Sequence, residues 1–226
     1  MNVLCVVAHP DDEVIGVGGT LASHAKRGDD VHVVILSDGV TSRHDSITEE
    51  VQAEIDERRG RAKEACEILG ASVSFHTFPD QRFDTVPLID LTQTVEAEVD
   101  AHEPSIVYTH HHGDLNLDHE LTSRAVMTAG RPQVGTPIRR VYGFETLSST
   151  EWATPEPSNA FQPTSFKDIS ESLETKESAM QVYQRELRDP PHPRSEKSIR
   201  QNAEVWGAKV GFDAAEPFVL LREVRD

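Results

Sequence analysis

The stretch Val3-Leu4-Cys5-Val6-Val7-Ala8-His9-Pro10-Asp11-Asp12-Glu13 decides the fold. Its valine-rich half, Val3–Val7, reads as a short strand buried on both faces. Pro10 breaks that strand, and a segment of helical period follows over Val14–Lys26, with Gly28 as its C-terminal stop. The same order of strand then helix recurs downstream. Strands are expected at Val31–Leu36, Ser72–Phe78, Ser105–Thr109 and Arg139–Phe144, and helices at Glu49–Leu69, Pro87–Ala101 and Glu120–Ala129, with Gly70 ending the first of these. Such alternation predicts an α/β domain with a largely parallel sheet and right-handed crossovers. Ligands are then expected beyond the carboxyl ends of the strands.

Beyond Phe144 the pattern changes. Ser148 to Pro163 is rich in Ser, Thr, Pro and Glu and reads as a loop over one edge of the domain. Two further helices are expected, Ile169–Leu187 and Ser195–Val210, separated by the proline-rich turn Asp189-Pro190-Pro191-His192-Pro193-Arg194. A last apolar run, Phe218–Leu221, reads as a returning strand. With no internal repeat and 226 residues, a single domain spanning residues 1–226 is expected.

The chain carries 39 acidic and 22 basic residues, a formal charge of -17. A surface that negative repels phosphate backbones and anionic membranes, so neutral or cationic small molecules are the expected partners. The acidic residues are spread along the chain, as a solvated acidic surface requires; a high-salt adaptation would look the same. Cys5 and Cys66 are the only cysteines, so no disulfide framework and no CxxC metal site is available, and a reducing cytoplasm is the expected location. No apolar run is long enough to cross a bilayer.

Two polar clusters carry the chemistry. The first strand ends in His9-Pro10-Asp11-Asp12-Glu13, and the fourth runs into His110-His111-His112-Gly113-Asp114-Leu115-Asn116-Leu117-Asp118-His119. Both fall at carboxyl ends of strands, where a doubly wound sheet brings distant loops to one crevice. Zinc in hydrolytic sites takes three nitrogen or oxygen ligands and leaves a position for water, and His9, Asp12 and His119 supply that set. The adjacent carboxylates of Asp11 and Asp12 must point in different directions, so one ligates while the other, Asp11, faces the water and takes its proton. Either can also cap the helix that follows. Fe(II), Co(II) and Mn(II) suit the same ligands. The block His110–His112 has no ligand spacing of its own.

The string Ala8-His9-Pro10-Asp11-Asp12-Glu13 resembles the first motif of the PIG-L, or LmbE-like, family of zinc-dependent deacetylases. Asp114-Leu115-Asn116-Leu117-Asp118-His119 is similar to the second motif of a bacterial and archaeal branch. The likeness extends to residues 78–84, 148–152 and 191–195. It implies a Rossmann-like three-layer fold, metal ligands at His9, Asp12 and His119, and Asp11 as general base. Asn116 stands where better-known members carry a histidine that polarises the substrate carbonyl or protonates the leaving amine. An asparagine amide donates a hydrogen bond but does not titrate. Asn116 is therefore expected to bind the oxyanion, and His192 to supply the titratable group, with Asp118 available to orient it.

The resemblance places Arg58 as an anchor for substrate hydroxyl or phosphate groups; Asp80, Arg82, Asp84, Trp152 and Arg194 are further candidates for binding substrate. Phe75, Phe78 and Phe144 read as core. The expected activity is removal of an N-acetyl group from an N-acetylglucosamine-type sugar. A zinc amidase acting on a non-sugar amide or thiol conjugate, and a metal-binding homologue without turnover, are the alternatives. The family likeness also implies a homo-oligomer, with His192 acting in cis or in trans.

Overall fold

The computed structural model describes residues 1–154 and 156–225. The expected loop 148–163 thus contains one position, Pro155, outside the described residues. The strands are β1 (Asn2–Val7), β2 (Asp30–Ser37), β3 (Ser72–Phe78), β4 (Ile106–His110), β5 (Arg140–Phe144), β6 (Ser165–Asp168) and β7 (Ala215–Glu223). The helices are α1 (Asp12–Lys26), α2 (Glu49–Leu69), α3 (Leu88–His102), α4 (Leu117–Ala129), α5 (Leu173–Val182) and α6 (Glu196–Val210).

These strands form one sheet in the order β3-β2-β1-β4-β5-β7-β6. The five strands from β3 to β5 are parallel, while β7 runs antiparallel to β5 and β6 antiparallel to β7. Alternate side chains of β1 explain the layering. Val3, Cys5 and Val7 join one core with residues of α1, α2, α5 and α6; Leu4, Val6 and Ala8 join another with Leu91, Val95 and Val99 of α3 and Ala125 and Val126 of α4. The result is a three-layer fold with a mostly parallel sheet.

From β1 the chain steps outward through β2 to β3, then returns to place β4 on the other side of β1. The order therefore reverses between β1 and β4, and a crevice opens beyond their carboxyl ends. His9 follows β1, and the segment His110–His119 follows β4, so both polar clusters border that crevice.

The C-terminal third differs from expectation in two ways. The helix expected over Ile169–Leu187 shortens to α5, because Ile169 N–H bonds Ala214 O and Ser172 Oγ bonds Gly19 O before the helix starts. Just before it, Ser-Phe-Lys-Asp forms β6, an edge strand whose sequence carries no apolar alternation and which is held by pairing with β7. No described helix is long and apolar enough to cross a membrane.

Candidate metal centre and active site

His9, Asp12 and His119 come together, each at most 5 % exposed. His9 Nδ1 lies 3.5 Å and His119 Nε2 3.3 Å from Asp12 Oδ2, and one donor atom from each residue lies within 4.8 Å of the others. Donors bonded to one tetrahedral zinc ion at about 2.0–2.2 Å stand roughly 3.3–3.6 Å apart, so this set fits such an ion.

The remaining ring nitrogens face carboxylates. His9 Nε2 lies 3.1 Å from Asp118 Oδ2 and 3.2 Å from Asp80 Oδ1, which fixes the proton on Nε2 and leaves the Nδ1 lone pair for a metal. Asp118 is itself held by the backbone N–H groups of Gln81 and Phe83, at 2.7 and 3.0 Å. It therefore orients His9, not His192. His119 Nδ1 lies 3.2 Å from Asp114 Oδ1. Asp114 also accepts from Ser149 Oγ, from Thr150 Oγ1 at 2.5 Å and from Asn116 N–H at 2.8 Å. Burial alone would raise Asp114, yet His119 and these hydroxyls bring it down to about 2.

Carboxylates dominate the electrostatics. Burial works against charge on His119, but Asp12 and Asp114 carry it up to about 9; His9 is likewise raised well above its ordinary value by Asp118, Asp12 and Asp80 despite its burial. A pocket that favours positive charge on two buried imidazoles favours a cation between them. His110 is different. Its Nε2 accepts from Ala8 N–H at 3.0 Å, its Nδ1 meets Thr146 Oγ1 at 3.1 Å, and burial with the neighbouring His119 pushes it down to about 3. His111 and His112 bond the carbonyls of Asn159 and Ser158 and so pin the 156–161 loop.

Asp11 is buried next to Asp12 with φ 102°, a conformation uncommon for any residue but glycine. Glu13 holds it: Oε2 accepts the Asp11 N–H at 3.0 Å while Oε1 accepts from Tyr183 OH at 2.6 Å. Neither Asp11 nor Asp12 caps α1 through its side chain; Asp12 Oδ2 accepts from His9 N–H instead. The Asp11 carboxylate is bracketed by two guanidinium groups, Arg194 Nη1 at 3.3 Å and Arg58 Nη2 at 3.6 Å. Burial raises Asp11 to about 6 against the lowering pull of Arg194 and Arg58.

Arg58 is thus occupied within the protein. It pairs with Glu186 and donates to Pro10 O at 2.9 Å. Gly39, with φ 67°, leaves room for it, since a Cβ there would stand 3.1 Å from Arg58 Nε. Asp80 is similarly committed to His9 and to Ser42 N–H at 3.1 Å.

A cavity of about 290 Å³ lies over the three candidate ligands, and Asp11, Asn116, Arg43, Arg58 and Arg194 contribute to its wall. Asn116 N-caps α4: its Oδ1 accepts from Asp118 N–H at 2.9 Å, which leaves the amide NH2 as a free donor. Arg82 lines a second cavity of about 400 Å³ that shares Asp80 with the first. His192 and Trp152 pack edge to face, 5.7 Å between centroids, and neither belongs to the cavity wall. Asp84 likewise lies outside both linings.

Sequence reasoning missed Glu13, Asp114, Glu186 and Tyr183. Glu13 and Asp114 lie inside the quoted motifs, which was the available signal; Glu186 and Tyr183 had none.

The profile of the PIG-L family, described as GlcNAc-PI de-N-acetylase, matches residues 4–130, more than half of the chain. The chain belongs to the PIG-L family. Among relatives of this PIG-L protein, a 4-oxalmesaconate hydratase of Pseudomonas putida KT2440 is 31 % identical over 190 residues, covering 80 % of this chain and 72 % of the relative. YaiS of Escherichia coli K12, named an uncharacterized deacetylase, is 30 % identical over 180 residues, covering 77 % and 85 %. The crystal structure of GalB, a 4-carboxy-2-hydroxymuconate hydratase from Pseudomonas putida KT2440, superposes with a TM-score of 0.77 at 25 % identity, covering 100 % of this chain and 98 % of that one. The PIG-L fold thus serves both deacetylase and hydratase relatives.

Proposed function

We propose that this PIG-L chain is a zinc-dependent hydrolase that removes an N-acetyl group from an N-acetylglucosamine-type sugar or its conjugate. One observation carries the reading: a buried His-Asp-His ligand set stands next to a second buried carboxylate, Asp11, that two arginines hold in place. His9, Asp12 and His119 would hold the ion, which supplies Lewis-acid activation of water and of an acyl oxygen.

The protein's own groups divide the remaining work. Asp11 takes the proton of the attacking water, with Glu13 fixing its backbone and Arg58 and Arg194 fixing its carboxylate. The free NH2 of Asn116 donates to the carbonyl oxygen as negative charge develops there. His192 accepts the Arg194 N–H on Nδ1 at 3.1 Å, so its Nε2 is the atom that carries a proton; from its place outside the cavity wall it would donate to the departing amine once the turn 189–194 moves inward. Collapse gives acetate and a free amine. Arg82, on the neighbouring cavity, would meet the more distant parts of a sugar conjugate, and Trp152 its exposed end.

A hydratase reading has its own support. The hydratase relative aligns over most of the chain, and Arg43 and Arg194 on the cavity wall, paired there with Glu186 and Asp11, could turn to a carboxylate-bearing substrate. Water activated by the same groups would add across a carbon–carbon double bond. Zinc-loaded protein assayed with N-acetylglucosamine, its disaccharide and its lipid-linked and nucleotide-linked forms is expected to release acetate from at least one. Release from none, together with hydration of an unsaturated oxo-tricarboxylate measured by loss of its ultraviolet absorbance, would replace the deacetylase reading with the hydratase one.

A further inference from the structure

Glu98 gathers three imidazoles at the outer edge of the sheet, far from the cavity. His76 Nε2 lies 2.7 Å from its Oε1, while His102 Nε2 and His32 Nε2 lie 3.4 and 3.7 Å from its Oε2. His32 stands on β2 in register with Leu4, five residues before His9, so the cluster is roughly 16 Å from the first centre along the strand direction. Nothing in the proposed hydrolysis uses it.

We propose that His32, Glu98 and His102 form a second metal site, which binds a divalent transition ion such as zinc and clamps the C-terminal end of α3 onto the sheet. One donor atom from each of the three lies within 4.8 Å of the others, so a small movement of side chains brings them onto one ion. The His32 and His102 rings stack at 3.7 Å between centroids and 17° between planes, with both Nε2 atoms turned to the same carboxylate. Two imidazolium rings stacked that closely would repel, whereas two neutral rings offer lone pairs.

The surroundings are those of a ligand set. His32 Nδ1 lies 2.7 Å from Ser72 Oγ, which can itself donate to Val31 O at 3.2 Å. With the Ser72 hydroxyl turned to that carbonyl, Nδ1 carries the proton and Nε2 presents its lone pair. Ser74 Oγ lies 3.0 Å from both Glu98 Oε1 and His32 Nε2, so an ion at His32 displaces the serine from the ring; its hydroxyl then stays on Oε1, which with His76 fixes the carboxylate and leaves Oε2 toward the two rings. His102 and His76 are partly exposed, which gives an ion a way in and leaves room for water in the remaining coordination positions.

The test counts metal by mass spectrometry after zinc loading and extensive dialysis. The parent protein is expected to hold two zinc ions per chain; His102→Ala and Glu98→Gln are each expected to hold one and to keep the parent's catalytic rate, and His119→Ala to keep the second ion alone. His76→Ala, which removes only a support of Glu98, is expected to weaken that ion about tenfold in chelator competition. A parent with a single ion that His102→Ala and Glu98→Gln leave in place would overturn the second site without touching the first. If His119→Ala fails to fold, the comparison of the parent with His102→Ala and Glu98→Gln decides the matter alone.

Discussion

Arg194 Nη1 meets Asp11 Oδ2 at 3.3 Å, although 183 positions separate the two residues in sequence. The same guanidinium bonds Ser148 Oγ at 2.5 Å and Leu147 O at 3.3 Å through Nε, so it joins the proline-rich turn, the loop after β5 and the candidate base. Losing a charge-assisted bond is worth about 1.5–3 kcal/mol. Arg194→Ala is therefore expected to lower kcat roughly 10- to 100-fold with metal content unchanged, and Arg194→Lys, which keeps the charge without the fork, to recover only part. Steady-state rates on metal-quantified protein check this; an undiminished kcat would remove Arg194 from the account.

Asn116 has two separable duties. Its Oδ1 caps α4 and its NH2 is free to bind the developing oxyanion. Asn116→Asp keeps an acceptor for the cap and loses the donor, so stability should hold while kcat falls about 10²–10³-fold. Asn116→Ala loses both duties and should also cost about 1 kcal/mol in denaturant unfolding. Equal rates for the parent and Asn116→Asp would assign the oxyanion to another group.

Much of the fold is legible in the sequence because burial is complete where the pattern is strongest. The valine and leucine run of β1 can only be a strand between two helical layers, and Gly70 ends α2 in the left-handed conformation that its position calls for. The edge is less legible: β6 owes its existence to pairing with β7, which no local pattern encodes. At the site, His9, Asp12 and His119 are marked by their place after strands and by motif. The groups that hold them are not marked in this way. Arg58 reads as a substrate anchor from the family resemblance, yet its partners Glu186, Pro10 and Asp11 come from three separate parts of the chain. Ser149 and Thr150 look like ordinary loop residues until β4 and β5 lie side by side and bring them onto Asp114.

Asp118 stands behind the candidate ligand His9. It fixes His9 through Nε2 and is itself held by two backbone N–H groups. Asp118→Asn is expected to weaken metal binding at the first centre about 10- to 100-fold in chelator competition. Unchanged affinity would show that Asp80 alone suffices to orient His9.

Glu145 links stability to pH away from the active centre. Burial raises its carboxyl above the ordinary value, against the lowering effect of bonds from Asn202 Nδ2 and Trp206 Nε1, both at 2.8 Å. In the unfolded chain it ionises near about 4.3, so above that pH the folded state binds more protons and stability falls as pH rises toward the folded value. Gln accepts the same bonds without ionising. Glu145→Gln is expected to gain on the parent in Tm between pH 4 and pH 8, whereas a constant difference would show that Glu145 does not titrate differently on folding.

If Asp11 acts as base beside a metal held by His9, Asp12 and His119, acetate release by zinc-loaded Asp11→Asn on the substrate the parent hydrolyses shows it. Parental zinc at the first centre and a rate lower by about 10²–10⁴-fold are expected. Parental turnover by Asp11→Asn would contradict that role.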